Sequence, residues 1–255
     1  MLSVSDNNDG VKGRLYDLFH PPQVTNEKIS VDGAFPFYKI NAKIYRGIIP
    51  WNTIEAVSGK LKKRAILPIG TSPDENCGIE AFDPKVLPER ILFNSAVKTL
   101  QKMALDPTQV FVSIIDENAY LVDLVESLVH LACRIQVITN CTGDYEQLAS
   151  RLLNVYGLSL IVSGRIDNSV LTSTVIISAK AAPVPLIFKG LLFTNERKKF
   201  MNATVLTGDG ITLPEKFENV IPNSIDKLTF ASALYELCSA DELGKLRYNN
   251  MLVTR

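Results

Sequence analysis

Four apolar runs decide the fold: VFVSII at 110–115, IQVIT at 135–139, LSLIVS at 158–163 and TVIISA at 174–179. Each is short, rich in β-branched residues and bounded by polar or turn-forming residues, as expected of a strand buried on both faces. Between the first three lie 120–133 and 144–156, where apolar residues recur at helical spacing. A β-α-β-α-β alternation of this kind predicts an α/β fold, a Rossmann-like doubly wound and mostly parallel sheet. The linker at 164–173 is too short for the helix that usually joins parallel strands.

Upstream, Ile40, Ala42 and Ile44 alternate with Asn41, Lys43 and Tyr45, which predicts a strand with one buried face. A second short strand is expected at 65–70, followed by a loop at 71–83. Pro88 then opens a helix over 89–105, with Ile91, Leu92, Val97, Leu100 and Ala104 as its stripe and Asp106-Pro107 as its stop. Residues 1–30 are polar and rich in turn formers, so loose order is expected at the extreme terminus. Downstream, strands are expected at 186–188 and 203–206, a helix at 225–238 and a last short helix near 241–246. The division that follows is a smaller N-terminal α+β unit, 1–108, and a Rossmann-like domain with C-terminal helices, 109–255.

Composition narrows the class. The chain has 255 residues, 46% of them hydrophobic and 21% charged, which fits a packed globular protein. Lys plus Arg and Asp plus Glu number 27 each, so no net field draws polyanions. The two short basic runs, Lys60/Lys62/Lys63/Arg64 and Arg197-Lys198-Lys199, read as solvated turns, and no nucleic-acid partner is expected. The four cysteines, at 77, 133, 141 and 238, form no C-x-x-C pair and have no neighbouring histidine, which disfavours a metal site or a disulfide framework. Cys133 and Cys238 fall in apolar patterns and read as small core residues. His130, on a largely apolar segment, reads as a core or edge histidine, and Trp51 as a core anchor or interface residue. No apolar run approaches a membrane span, and the first residues lack the basic start and apolar core of a secretory signal. A cytoplasmic protein without a membrane partner is expected.

In open α/β sheets ligands bind beyond the carboxyl ends of the strands. The ligand-binding shortlist is therefore Asp116, Glu117 and Asn118 after the first strand, Asn140, Cys141 and Thr142 after the second, Ser163 and Gly164 after the third, and Ser178 after the fourth. The first turn has no glycine. Its carboxylates suit a helix start but repel a pyrophosphate, and its side chains obstruct the close backbone approach a dinucleotide needs. No catalytic set matches: Gly-x-Ser-x-Gly, the P-loop and His-Glu-x-x-His are all missing.

The run 135–142, then Gln147-Leu148-Ala149, then Val175-Ile176-Ile177-Ser178-Ala179 resembles the second half of the NADP-binding domains of the shikimate dehydrogenase and glutamyl-tRNA reductase group. That resemblance implies a degenerate member of the Rossmann-like NAD(P)-binding superfamily. The group carries Asn-Arg-Thr after its second strand, the arginine meeting a 2′-phosphate. Here the run is Asn140-Cys141-Thr142, and cysteine cannot make that charge-assisted contact. Residues 114–121 are similar to the start of response-regulator receiver domains, with an acidic pair after the first strand. The receiver's acceptor aspartate at the end of the third strand is replaced by Ser163-Gly164.

The expectation is thus a non-catalytic or regulatory protein on a degenerate Rossmann-like scaffold, binding a protein partner or small ligand and working as a homo-oligomer or with that partner. The alternative is a small-molecule enzyme, NAD(P)-dependent and oxidoreductase-like, with an unconventional nucleotide site. Asn140, Thr142 and Ser178 would then contact the nucleotide, and Asp116 or Glu117 a ribose hydroxyl or a proton in transfer. The sequence names no cofactor and no catalytic residue.

Overall fold

The computed structural model describes residues 1–6, 23–44, 48–166, 170–180, 188–196 and 203–254. In chain order its elements are β1 (Leu2–Asp6), β2 (Val24–Ile29), β3 (Phe37–Ile44), α1 (Trp51–Ser58), α2 (Val86–Met103), β4 (Phe111–Ile115), β5 (Arg134–Ile138), α3 (Thr142–Tyr156), β6 (Leu160–Ser163), β7 (Val175–Ser178), β8 (Leu191–Thr194), β9 (Thr204–Ile211), α4 (Glu215–Glu218), α5 (Lys227–Cys238) and β10 (Tyr248–Thr254). Short 3₁₀ turns lie between them. His20, Asp167, residues 186–187 and the basic run Arg197-Lys198-Lys199 lie outside the described residues.

The chain divides into two compact units. One comprises Met1–Lys85 with Leu213–Leu243, the other Val86–Thr212 with Gly244–Arg255. The expected boundary at 108/109 therefore moves, for a physical reason. Helix α2 buries Leu92, Phe93, Ala96, Val97 and Leu100 in the same apolar cluster as Val112 and Ile114 of β4, so it belongs to the large sheet. Conversely, 213–243 leaves that sheet after β9 and joins the N-terminal unit.

The larger unit carries a seven-stranded sheet in the order β6-β5-β4-β7-β8-β9-β10, parallel except for β10, which runs antiparallel to β9. The first six follow the Rossmann order 3-2-1-4-5-6, and the fold is Rossmann-like α/β. Alternation sorts the strands onto two faces. Val112, Ile114, Ile135, Val137, Val175, Ile177 and Phe193 face the cluster that also holds the apolar stripes of α2 and α3. Ile138, Ile176, Leu192 and Val205 face a smaller cluster with Val170 and Phe188. Helix α3 ends where Gly157 takes φ 67° and donates its N–H to the carbonyls of Leu152 and Leu153, a left-handed stop that glycine permits.

Three expected elements differ. Segment 120–133 is not a regular helix: Leu124 donates to Leu121, Val129 to Glu126 and Leu131 to Leu128, three-residue closures mixed with four-residue ones, around a 3₁₀ turn at Val125–Leu128. Apolar residues at helical spacing, Leu121, Val125, Leu128 and Ala132, are nonetheless all buried. The β-branched residues Val122, Val125 and Val129 favour a helix less, and burial holds the face without regular helical bonding. At 65–70 there is no strand, only an isolated bridge from Ala65 to Ala81. Of the strand expected at 186–188 only Phe188 lies among the described residues; it is buried and in no strand, and a strand follows at Leu191–Thr194.

The smaller unit is α+β. Its sheet runs β1-β3-β2, with β1 parallel and β2 antiparallel to β3. Leu2, Ile40, Ala42, Trp51, Ile54 and Ile79 form its core cluster, so Trp51 is a core anchor. The extreme terminus, where loose order is expected, thus holds strand β1. Helix α5 begins at Asp226, whose carboxylate accepts the Thr229 N–H at 2.7 Å.

Candidate functional site

The strand register places the shortlisted residues along one edge. Ile115 of β4 pairs with Ile138 of β5 and Ser178 of β7, and Ile138 pairs with Ser163 of β6. The order reverses between β4 and β7, so the switch-point crevice opens beyond Asp116 and Ser178. Asn140 N–H donates to the Glu117 carbonyl at 3.2 Å, and the Cys141 thiol faces that carbonyl at 3.9 Å, bringing the first two shortlisted turns together. Ser163 ends β6 and Gly164 follows it, on the far side of β5 from β4, and neither is part of the switch point.

Asp116 is fully buried, and its carboxylate is saturated. One oxygen accepts the Tyr120 N–H at 2.9 Å; the other accepts the Leu121 N–H at 2.8 Å and the hydroxyl of Tyr145 from α3. Burial, then the Asp116 carboxylate, push the Tyr145 hydroxyl well above the usual tyrosine range, so it stays a donor. The turn also supplies its own substitute for the missing glycine: Ala119 holds φ 59°, in the left-handed region. The bend a phosphate loop would need is thus present, but it is filled by side chains.

Other shortlisted groups are likewise engaged. Ser178 is buried and its hydroxyl donates to the Lys180 carbonyl at 2.5 Å. The Ser163 hydroxyl donates to the Arg165 carbonyl at 2.8 Å. Glu117 is exposed and pairs with Lys180 at 3.5 Å. Asn118, Asn140, Thr142 and Gly164 are exposed, and Cys141 is half-buried at the start of α3.

A residue the sequence reading passed over sits in the first turn of α2, at the same end of the sheet. Glu89 is half-buried, and its carboxyl is pushed up to about 7, first by burial, then by Asp116, with Glu117 adding and Lys180 opposing. Its neighbour Arg90 grips Asp123 through two bonds of 2.8 and 2.6 Å and the Tyr120 carbonyl at 2.9 Å, tying α2 to the loop after Asp116. That contact holds the Asp123 carboxyl below its ordinary range. Asn195, just past β8, donates to the Pro88 carbonyl at 3.3 Å and accepts from the Tyr248 hydroxyl at 2.9 Å. The arrangement can hold or move one proton near neutrality at Glu89; its remaining polar groups are mostly spent on one another. Only the helix start expected at Pro88, two residues after the observed start at Val86, hinted at Glu89, because the helix runs back along β4 and returns its first turn to the crevice.

Elsewhere, Lys62 pairs with Glu55 at 2.6 Å and Lys63 with Glu80 at 3.8 Å, so half of the first basic run is neutralised. Cys133, expected in the core, is exposed and its thiol donates to the Val110 carbonyl at 3.3 Å, because the 120–133 stripe ends at Ala132. Cys238 is half-buried and His130 is exposed. Among the described residues no cluster of three or more His, Cys, Asp or Glu is placed to hold a metal ion, and no helix is long and apolar enough to cross a membrane. No family model matches the chain, and neither a curated protein nor a solved structure matches it.

Proposed function

We propose that this is a non-catalytic or regulatory binding protein of the cytoplasm, built on a degenerate relative of the NAD(P)-binding domains and acting on a protein partner or small ligand, as an oligomer or with that partner. The observation that carries the reading is the saturated Asp116 carboxylate. It occupies the turn where a dinucleotide's phosphates would rest, it is negative, and all three of its bonds go to the protein itself. A pyrophosphate there would meet the carboxylates of Asp116 and Glu117, with Lys180 already paired to Glu117 at 3.5 Å.

A thermal-shift panel of NADP(H), NAD(H), adenine nucleotides and S-adenosylmethionine tests it. A ligand at about 100 times its dissociation constant stabilises by about 2.7 kcal/mol, an obvious shift. A flat panel at millimolar ligand is expected; a clear rise with any of them defeats the claim that the crevice refuses nucleotides. Light scattering on the purified chain tests the oligomer.

One observation favours a second reading, an enzyme using the same crevice. A carboxyl near 7 is matched to general acid–base work at neutral pH, and Glu89 has that value beside the switch point. NADPH consumption with small carbonyl substrates, lost in Glu89→Gln, would establish it.

A further inference from the structure

The smaller unit contains a cavity of about 530 Å³, lined among the described residues only by residues of that unit. Its walls come from the three-stranded sheet, α1 with the 3₁₀ turn Gly59–Arg64 after it, and α5. They are mostly apolar, with Leu2 and Ile40 from the sheet, Val57 and Leu61 from α1 and the turn after it, and Leu234 and Leu237 from α5, while Asn26, Ser58 and Cys238 add polar groups. A volume of this size and lining is that of a site for one small organic molecule.

Two features say what kind. Arg64 is the single charged side chain in the lining, and no ion pair joins it to a carboxylate among the described residues. The Ser58 hydroxyl, by contrast, is spent on the Ile54 carbonyl at 2.6 Å. Apolar surface also reaches the solvent at the margin, where Leu61 is 54% and Tyr38 42% exposed. A mostly apolar hollow whose one charged side chain among the described residues is an exposed guanidinium, with the Met1 amino group, which burial pushes down to about 6, also in its wall, matches a molecule with a hydrocarbon body and a single anionic head. A guanidinium meets a carboxylate through two parallel bonds, which fixes the head outward while the body displaces water from the cavity.

We propose that this cavity binds a small amphipathic carboxylic acid, an alkyl or aryl acid, with its body between the sheet and α5 and its carboxylate on Arg64. The site lies wholly in the smaller unit and does not depend on the reading of the crevice. A nucleotide panel tests the one, and the measurements below test the other.

Decanoate, decanol and decylamine share a chain and differ in the charge of the head. Titration calorimetry on the full chain is expected to give one saturable decanoate site, decanol about tenfold weaker and decylamine weaker still. Arg64→Ala should weaken decanoate about tenfold and leave decanol unchanged. Because Arg64 is exposed, that variant tests the head without disturbing the core. Leu237→Trp, at a half-buried position of α5, should obstruct the cavity and abolish both, with far-ultraviolet circular dichroism confirming that it folds. The proposal is overturned if decanoate shows no saturable binding up to millimolar concentration, if decylamine binds as well as decanoate, or if Arg64→Ala leaves decanoate unaffected.

Discussion

Asp116→Ala is expected to destabilise the protein severely. The carboxylate is fully buried and accepts three hydrogen bonds, from the N–H groups of Tyr120 and Leu121 and from the Tyr145 hydroxyl. Each bond to a charged acceptor contributes about 1.5–3 kcal/mol, and alanine strands all three donors. Relief of the buried charge offsets part of that, leaving an expected loss of about 3–5 kcal/mol. That is a large fraction of the roughly 5–15 kcal/mol by which a domain is usually stable. Tyr145→Phe removes one donor and leaves the carboxylate two, so about 1.5–2.5 kcal/mol is expected. In the double variant no hydroxyl is stranded, and its loss should fall short of the sum by about 1–2 kcal/mol. Asp116→Asn, with one acceptor oxygen and an amide turned toward a donor, should fall between wild type and alanine. Urea unfolding monitored by circular dichroism measures all four. A residue kept for a ligand rather than for the turn behaves differently, since removing a buried functional charge is neutral or stabilising. An Asp116→Ala loss below about 0.5 kcal/mol, or a coupling indistinguishable from zero, would refute the view that this carboxylate belongs to the fold.

Further outcomes follow from the same region. The unfolded chain releases the Glu89 proton near 4.5 and the folded chain keeps it to about 7, so its contribution is full below 4.5 and is lost as pH rises through 7; Glu89→Gln should flatten that decline and raise the urea midpoint above pH 7. The Tyr145 hydroxyl is also raised on folding, so its contribution is full below the ordinary tyrosine value of about 10 and is lost above it; Tyr145→Phe should reduce alkaline destabilisation in the same titration. A fragment of 109–255 lacks α2, whose Leu92, Phe93 and Leu100 each contribute about 1.5–3 kcal/mol of burial. It should show no cooperative unfolding transition.

The parallel core was legible because both faces of β4, β5 and β7 are buried, which writes the strands as unbroken apolar runs. The edge strands were not. In β1, Leu2 and Val4 alternate with Ser3 and Ser5, but over so few residues that the polar neighbours masked the period. In β2 the middle residues are all exposed, and β10 begins Tyr-Asn-Asn, which reads as a turn. At the site, the acidic turn was legible because type and position sufficed: a carboxylate after a strand, with no glycine. That Asp116 is spent on Tyr145 could not be read, because the partner lies one strand and part of a helix later. Glu89 was hidden for a related reason. Its proton affinity comes from burial and from charges that only the sheet brings near it.

The excursion of 213–243 out of the large sheet and back into β10 has a consequence for how the chain is made. The cavity wall and core contacts that α5 gives to the first unit are encoded about 140 residues after that unit's other part ends at Lys85. On the ribosome, strands β4 to β9 emerge while the first eighty-five residues still lack that helix. The unit nearest the N-terminus is therefore among the last to be completed, and a chain stalled before residue 243 leaves it unfinished even with most of the parallel sheet in place.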